Sequence, residues 1–173
     1  MDIISASYDD DTISWYENDG ASDPSFTTRQ ITNTAEGVWS VFAADMDNDG
    51  DMDLISASRF DDTIAWYSNA GIADEFTKIV IDTSTDAPTA IFAADMDGDG
   101  DMDIVSASRT DDKIAWFEND GAYVPSFSIT VIATSADNPR NIYLADMDND
   151  GDMDIVSASA NDDTIAWYEN DGA

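Results

Sequence analysis

Apolar residues along the chain fall into short runs, each closed by Asp, Asn, Gly or Pro. VWSVFAA (38–44), PTAIFAA (88–94) and PRNIYLA (139–145) are three such runs. DLISAS (53–58) and DIVSAS (103–108 and 154–159) form a second set, and TIAWY (63–67) with its equivalents a third. SFTTRQIT (25–32), EFTKIVID (75–82) and SFSITVIA (126–133) form a fourth. β-Branched and aromatic residues dominate these runs, which marks them as strands. No stretch carries a sustained helical period. Stretches such as VFAA and IAWY are apolar at successive positions, the pattern of strands covered on both faces.

The strands recur in a fixed order. DMDNDGDMDLISAS begins at Asp45, DMDGDGDMDIVSAS at Asp95 and DMDNDGDMDIVSAS at Asp146, at spacings of 50 and 51 residues. A second marker keeps step: ISWYEN from Ile13, IAWYSN from Ile64, IAWFEN from Ile114 and IAWYEN from Ile165. A repeat of about 50 residues and four strands, with inner strands covered on both sides, predicts the blade of an all-β propeller. Whole blades are expected at 38–85 and 88–135. Residues 1–34 supply only strands two to four of a blade, and 139–173 only strands one to three. Residues 1–21 repeat 153–173 except at positions 4, 8, 9 and 14, so the first blade is read as starting just after an Asp loop. The propeller is thus incomplete within one chain, with three, four, four and three strands. An unpaired blade face is an exposed apolar patch, and the expected partner is a further copy of the chain or the remainder of a larger propeller.

Charge changes the picture most. The chain has 38 acidic and 6 basic residues, a formal net charge of -32. Nucleic acid is excluded as a partner by repulsion, and an anionic bilayer is disfavoured for the same reason. Crowded carboxylates oppose folding unless a multivalent cation relieves them. With neither Cys nor His, disulfides, thiolate zinc sites and imidazole bases are absent. No run reaches transmembrane length, no leader segment is read ahead of the strand that follows Met1-Asp2, and the expected location is extracellular or at a cell surface.

Each repeat marker opens on D-x-D-x-D-G-D-x-D. The positions are Asp45, Asp47, Asp49, Asp51 and Asp53; Asp95, Asp97, Asp99, Asp101 and Asp103; and Asp146, Asp148, Asp150, Asp152 and Asp154. Alternate carboxylates supply the six to eight oxygens that calcium takes, and glycine at position six permits the sharp turn. Positions one, three and five curl around the ion, position seven gives its backbone carbonyl and position nine closes the shell. An EF-hand needs a bidentate Glu at position twelve and helical flanks. Here position twelve is Ser56, Ser106 or Ser157 and the flanks are strands. Magnesium fits less well, because it demands a rigid octahedral shell. The expected cofactor is calcium, about three ions per chain.

These loops, with the DIVSAS and IAWYEN strands, resemble FG-GAP/VCBS-type repeats over nearly the whole chain. That family includes the calcium-bearing blades of the integrin α-subunit propeller, and similar repeats occur in bacterial surface proteins and some fungal lectins. The resemblance implies side-chain ligation by Asp45, Asp47, Asp49 and Asp53, backbone ligation at Asp51, and the same at the other two loops. The chain departs from the family in holding too few blades for the usual seven and in lacking a loop in its first repeat.

The remaining recurrent residues read as structural. Trp15, Trp66, Trp116 and Trp167 are expected between blades; Trp39, replaced by Thr89 and Arg140 elsewhere, is the more specific aromatic. The Met residues flanking the loop aspartates (Met46, Met52, Met96, Met102, Met147, Met153) are expected to tuck beneath the loops. The Asp10-Asp11, Asp61-Asp62, Asp111-Asp112 and Asp162-Asp163 pairs are turn residues rather than an acid/base pair. Arg59 and Arg109 are expected to pair with nearby aspartates. With no nucleophile–base set and no unique polar cluster, the chain reads as a non-enzyme. The functions left are an adhesion or protein-binding scaffold that assembles with other chains, a lectin with sugar sites between blades, or a fragment with no ligand beyond calcium and itself.

Overall fold

A computed structural model describes residues 1–71 and 75–172. Residues 72–74, inside the second expected unit, and Ala173, at the end of the fourth, lie outside the described residues. The described chain forms fourteen strands in four antiparallel sheets. Sheet 1 holds β1 (Ile3–Ser7), β2 (Thr12–Asn18) and β3 (Phe26–Thr32). Sheet 2 holds β4 (Val38–Ala44), β5 (Asp53–Ser58), β6 (Thr63–Asn69) and β7 (Phe76–Asp82). Sheet 3 holds β8 (Pro88–Ala94), β9 (Asp103–Ser108), β10 (Lys113–Asn119) and β11 (Phe127–Ala133). Sheet 4 holds β12 (Pro139–Ala145), β13 (Asp154–Ser159) and β14 (Thr164–Tyr168). The strand numbers per sheet match the expectation from the repeats. The TIAWY strand runs further than its apolar core, to Asn69 in β6.

Each sheet is a meander in which sequence neighbours pair. The Asp pair joins β1 to β2, β5 to β6, β9 to β10 and β13 to β14. Its second member takes a left-handed conformation at Asp11, Asp62, Asp112 and Asp163, which short polar side chains tolerate. That carboxylate also reaches across to the next sheet. Asp11 accepts from the Gly37 N–H at 2.7 Å, Asp62 from Ala87 at 2.9 Å and Asp112 from Asn138 at 2.9 Å. The pair is therefore a turn and a brace between sheets.

The sheets stack in chain order, and three apolar cores fill the gaps. Ile13, Val38, Leu54 and Tyr67 join sheets 1 and 2. Ile55, Trp66, Ile91 and Phe117 join sheets 2 and 3, and Val105, Ile114, Ile142 and Ile155 join sheets 3 and 4. β5 and β9 are buried at every position although Asp and Ser interrupt their apolar residues, whereas the VFAA run of β4 is mostly half-buried. In sheets 1 to 3 the last strand (β3, β7 and β11) is the most exposed of its sheet.

Candidate metal centre

The three Asp loops connect β4 to β5, β8 to β9 and β12 to β13, all at one end of the stack. The first aspartate of each loop folds the backbone around itself. Asp45 accepts N–H groups from Asp49 (3.1 Å) and Gly50 (3.0 Å). Asp95 accepts from Gly98 (2.8 Å) and Gly100 (3.0 Å), and Asp146 from Asn149 (2.6 Å), Asp150 (3.2 Å) and Gly151 (3.2 Å). The fifth-position aspartates take the next N–H but one: Asp49 from Asp51 and Asp99 from Asp101 at 2.9 Å, Asp150 from Asp152 at 3.0 Å. Glycine at position six has φ of 94° to 105° in Gly50, Gly100 and Gly151. A Cβ there would have open space around it, so it is the backbone conformation that calls for glycine.

This folding gathers carboxylate oxygens within 4.8 Å of one another in three clusters: Asp45, Asp47 and Asp53; Asp95, Asp97 and Asp99; Asp146, Asp148 and Asp154. Each cluster is close enough to hold a metal ion, and its donors are oxygen alone. In the first, Asp47 Oδ1 is buried without a hydrogen-bond partner, the state of an oxygen that a cation would satisfy. Asp49, Asp103 and Asp150 stand outside the three clusters. The seventh-position carboxylates of Asp51, Asp101 and Asp152 turn elsewhere, to the backbone of Gly71, Gly121 and Gly172, where any Cβ would collide with them.

The ninth-position aspartate ties the loop to the sheet. Asp53 accepts from the Met46 N–H (3.0 Å) and the Asn69 N–H (2.7 Å). Asp103 does the same with Met96 (3.1 Å) and Asn119 (2.8 Å), and Asp154 with Met147 (2.9 Å) and Asn170 (2.8 Å). In sheet 1, Asp2 takes the Asn18 N–H and the Trp15 indole N–H, the latter at 2.9 Å. Trp66 and Trp116 act on Asp53 and Asp103 in the same sense. Their indole N–H groups nevertheless lie outside hydrogen-bond geometry.

Burial is the leading influence on these carboxyls. It pushes Asp53 up and Asp103 up to about 6, against the lowering effect of their backbone N–H partners. Asp154 makes the same bonds but has no further sheet beyond it, and the Asn170 N–H holds its carboxyl below the usual range. Asp47, Asp97 and Asp148 are raised by burial first, then by neighbouring loop carboxylates. Such mutual charge is what a bound cation would neutralise.

The Asn that ends the IAWYEN marker is a functional position not singled out from sequence, although it recurs in all four repeats. Asn119 donates from Nδ2 to the Met102 carbonyl of its own loop and to the Met46 carbonyl of the preceding one, both at 3.0 Å. Asn170 donates to Met153 (3.2 Å) and to Met96 (2.8 Å). Adjacent loops also touch directly, Asn48 Nδ2 donating to Asp101 Oδ1.

Three expectations change. Of the loop methionines, Met46 and Met96 tuck into the cores, but Met52, Met147 and Met153 are exposed. The second-position side chain points between sheets, and Met147 has no sheet to cover it; of the eighth-position residues Met102 packs against the core between sheets 2 and 3, while Met52 and Met153 lie on the rim. The recurrent Trp is buried at Trp66, half-buried at Trp15 and Trp116, and 49% exposed at Trp167, so its burial depends on a following sheet. Arg59 lies over the Trp39 ring, 5.7 Å from its centre, and Arg109 donates to Asn138 at 3.0 Å. Arg29 pairs with Glu17 and Lys113 with Asp111.

Stacked antiparallel sheets, each whole repeat carrying an oxygen-only acidic loop at the same end, define a β-repeat protein with metal-capable loops. The FG-GAP-like repeat matches residues 1–56, 48–106 and 95–157, and the chain belongs to that family. A comparison with curated proteins gives no match.

Proposed function

We propose that the chain is a calcium-binding β-propeller repeat module, serving outside the cell as a scaffold for adhesion or protein binding. The observation that carries the calcium reading is the set of three carboxylate clusters, one of them with a buried, unpartnered oxygen. Oxygen-only donors in a flexible loop suit a hard cation that takes six to eight ligands, whereas nitrogen or sulfur would favour zinc. The backbone carbonyls and waters of the loop would complete the shell. Extracellular calcium is abundant enough to fill sites of about 10⁻⁴–10⁻³ M. A sequence with neither His nor Cys, whose polar residues recur equally in each repeat, fits binding better than turnover.

The test is calorimetric titration of calcium into chelator-stripped protein, with magnesium as control. About three ions per chain, with magnesium much weaker, is the expected result. No heat or structural change at millimolar calcium would overturn the reading and leave the loops as bare acidic turns.

A lectin reading has one observation in its favour. Tyr8 packs edge-on against Trp39 at 5.2 Å and against Phe60 at 5.0 Å, and both Trp39 and Phe60 are exposed. Exposed rings are the surface on which sugars stack. A glycan array read with and without calcium separates the two, since a scaffold gives no specific glycan signal and a lectin loses its signal in Trp39→Ala.

A further inference from the structure

We propose that the outer face of sheet 4 is a docking surface for a second copy of this chain, which stacks its sheet 1 there head to tail. The inference goes beyond the calcium reading and rests on the sheet faces alone.

Val156, Ala158, Ile165 and Trp167 lie on one face of sheet 4, because Val156 pairs with Trp167 and Ala158 with Ile165. Ile165 is 78% and Trp167 49% exposed. The corresponding residues of sheet 3 are Val105, Ala107, Ile114 and Trp116. Val105, Ala107 and Ile114 are wholly buried, and all four belong to the core shared with sheet 4. Sheet 2 repeats this with Ile55, Ala57, Ile64 and Trp66, buried against sheet 3. In sheet 1 Ile4, Ala6 and Ile13 pack against sheet 2 in the same way, so the face is covered three times within the chain, each time by the next sheet of the repeat.

The covering face is also known from inside the chain. In sheet 4 it includes Ile155, turned onto sheet 3; in sheet 2 it includes Leu54 and Tyr67, turned onto sheet 1. Sheet 1 carries the same positions as Ile3, Ser5, Ser14 and Tyr16, with Ile3 paired to Tyr16 and Ser5 to Ser14; Ser14 is buried and Ser5 and Tyr16 are half-buried. Ile3 is 52% exposed. One end of the stack is thus the face that is covered, and the other end the face that covers. Such a pair of surfaces is heterologous: copies join end to end, and a ring closes when the rotation allows. Two copies would carry eight sheets, the upper end of the usual range for propellers.

The register of the junction follows from the internal ones. Asn119 and Asn170 each donate to the second-position Met carbonyl of the preceding loop, Met46 and Met96. Asn18 holds the equivalent place in sheet 1, and Met147 is the equivalent residue of the last loop. Stacking brings Asn18 of the second copy over the Met147 carbonyl of the first.

Sedimentation velocity of the full chain, in millimolar calcium at physiological ionic strength, tests this. The wild type is expected at twice the 18.7 kDa chain mass or a higher multiple. Ile165→Asp/Trp167→Asp removes one face and Ile3→Asp the other, and each variant alone is expected to be monomeric. A mixture of the two keeps one intact face of each kind and is expected to form a two-chain species. Val124→Asp, an equal charge change at an exposed turn residue, is expected to leave association unchanged. Circular dichroism checks that each variant folds. A monomeric wild type overturns the proposal. So does undiminished association of either face variant, or a mixture that stays monomeric while the wild type associates.

Discussion

Calcium-free protein should lose stability as pH rises from about 4 to about 7. The buried carboxyl of Asp103 has its pKa raised from 3.8 to about 6. The folded chain therefore holds a proton there that the unfolded chain has already released, and in this window folding weakens as pH rises. Displacement from 3.8 to about 6, at 1.36 kcal/mol for each tenfold in acidity, makes this loss about 3 kcal/mol once Asp103 is ionised. Asp47, Asp53, Asp97 and Asp148 are raised as well and act in the same direction. Asp2, Asp19, Asp120 and Asp154 are lowered. Their contribution is present above the ordinary carboxyl range and fades as pH falls through their depressed values. Stability without calcium should accordingly peak near pH 4. Urea unfolding in chelator across a pH series reads the profile, and Asp103→Asn should flatten its descending limb. Saturating calcium should reverse the limb, because the ion binds the ionised carboxylates and proton competition fades with rising pH. A calcium-free stability that rises or stays level between pH 4 and 7 would refute the reasoning, as would a descending limb unaltered by Asp103→Asn.

Asp47→Asn should raise the melting temperature in chelator, since it removes a raised, repelled charge, and lower the calcium stoichiometry by one; calorimetry with paired melts detects the opposing signs. Gly100→Ala forces a Cβ onto a backbone with φ of 97° and should cost about 1–3 kcal/mol with or without calcium, measured by urea midpoints. Asp112→Ala leaves the Asn138 N–H without its 2.9 Å partner and should cost about 1–3 kcal/mol. Because that brace lies at the end opposite the metal loops, calcium affinity should stay at the wild-type value.

The sheets were legible because three signals coincide in each repeat: a strand-length apolar run, turns built from Asp, Asn and Gly, and a fixed period. The strands from Val38, Pro88 and Pro139 occupy the ranges that their composition marks. The loops were legible because carboxylates at alternate positions around a glycine have few other uses. Clustering of particular side chains was less visible. Asp99 completes the second cluster where Asp53 and Asp154 complete the first and third, though the three sequences differ within the loop only at Asn48, Gly98 and Asn149. The roles of Asn119 and Asn170 were hidden for another reason. Their partners Met46 and Met96 lie 73 and 74 residues away, and the contact uses a backbone carbonyl that carries no sequence signature. Burial of the recurrent Trp was expected and holds at Trp66, but the 49% exposure of Trp167 was not foreseen, because no described sheet packs over it.

Metal loops and sheet stacking are parts of one arrangement. The ninth aspartate joins the start of its own loop to the end of the third strand, and the Asn at that strand end joins its loop to the preceding one. A cation held by Asp45, Asp47 and Asp53 would therefore fix Met46, whose N–H is on Asp53 and whose carbonyl is on Asn119 of the next sheet. The Met46 side chain enters the core between the same two sheets. Ion, loop backbone and inter-sheet core thus meet at one residue. Carboxylates that would otherwise drive adjacent loops apart, at a net charge of -32, are placed where neutralising them tightens the stack. This gives a physical reason for the fifteen loop aspartates to sit at one end of the sheets, and for loop and strand sequences to repeat together.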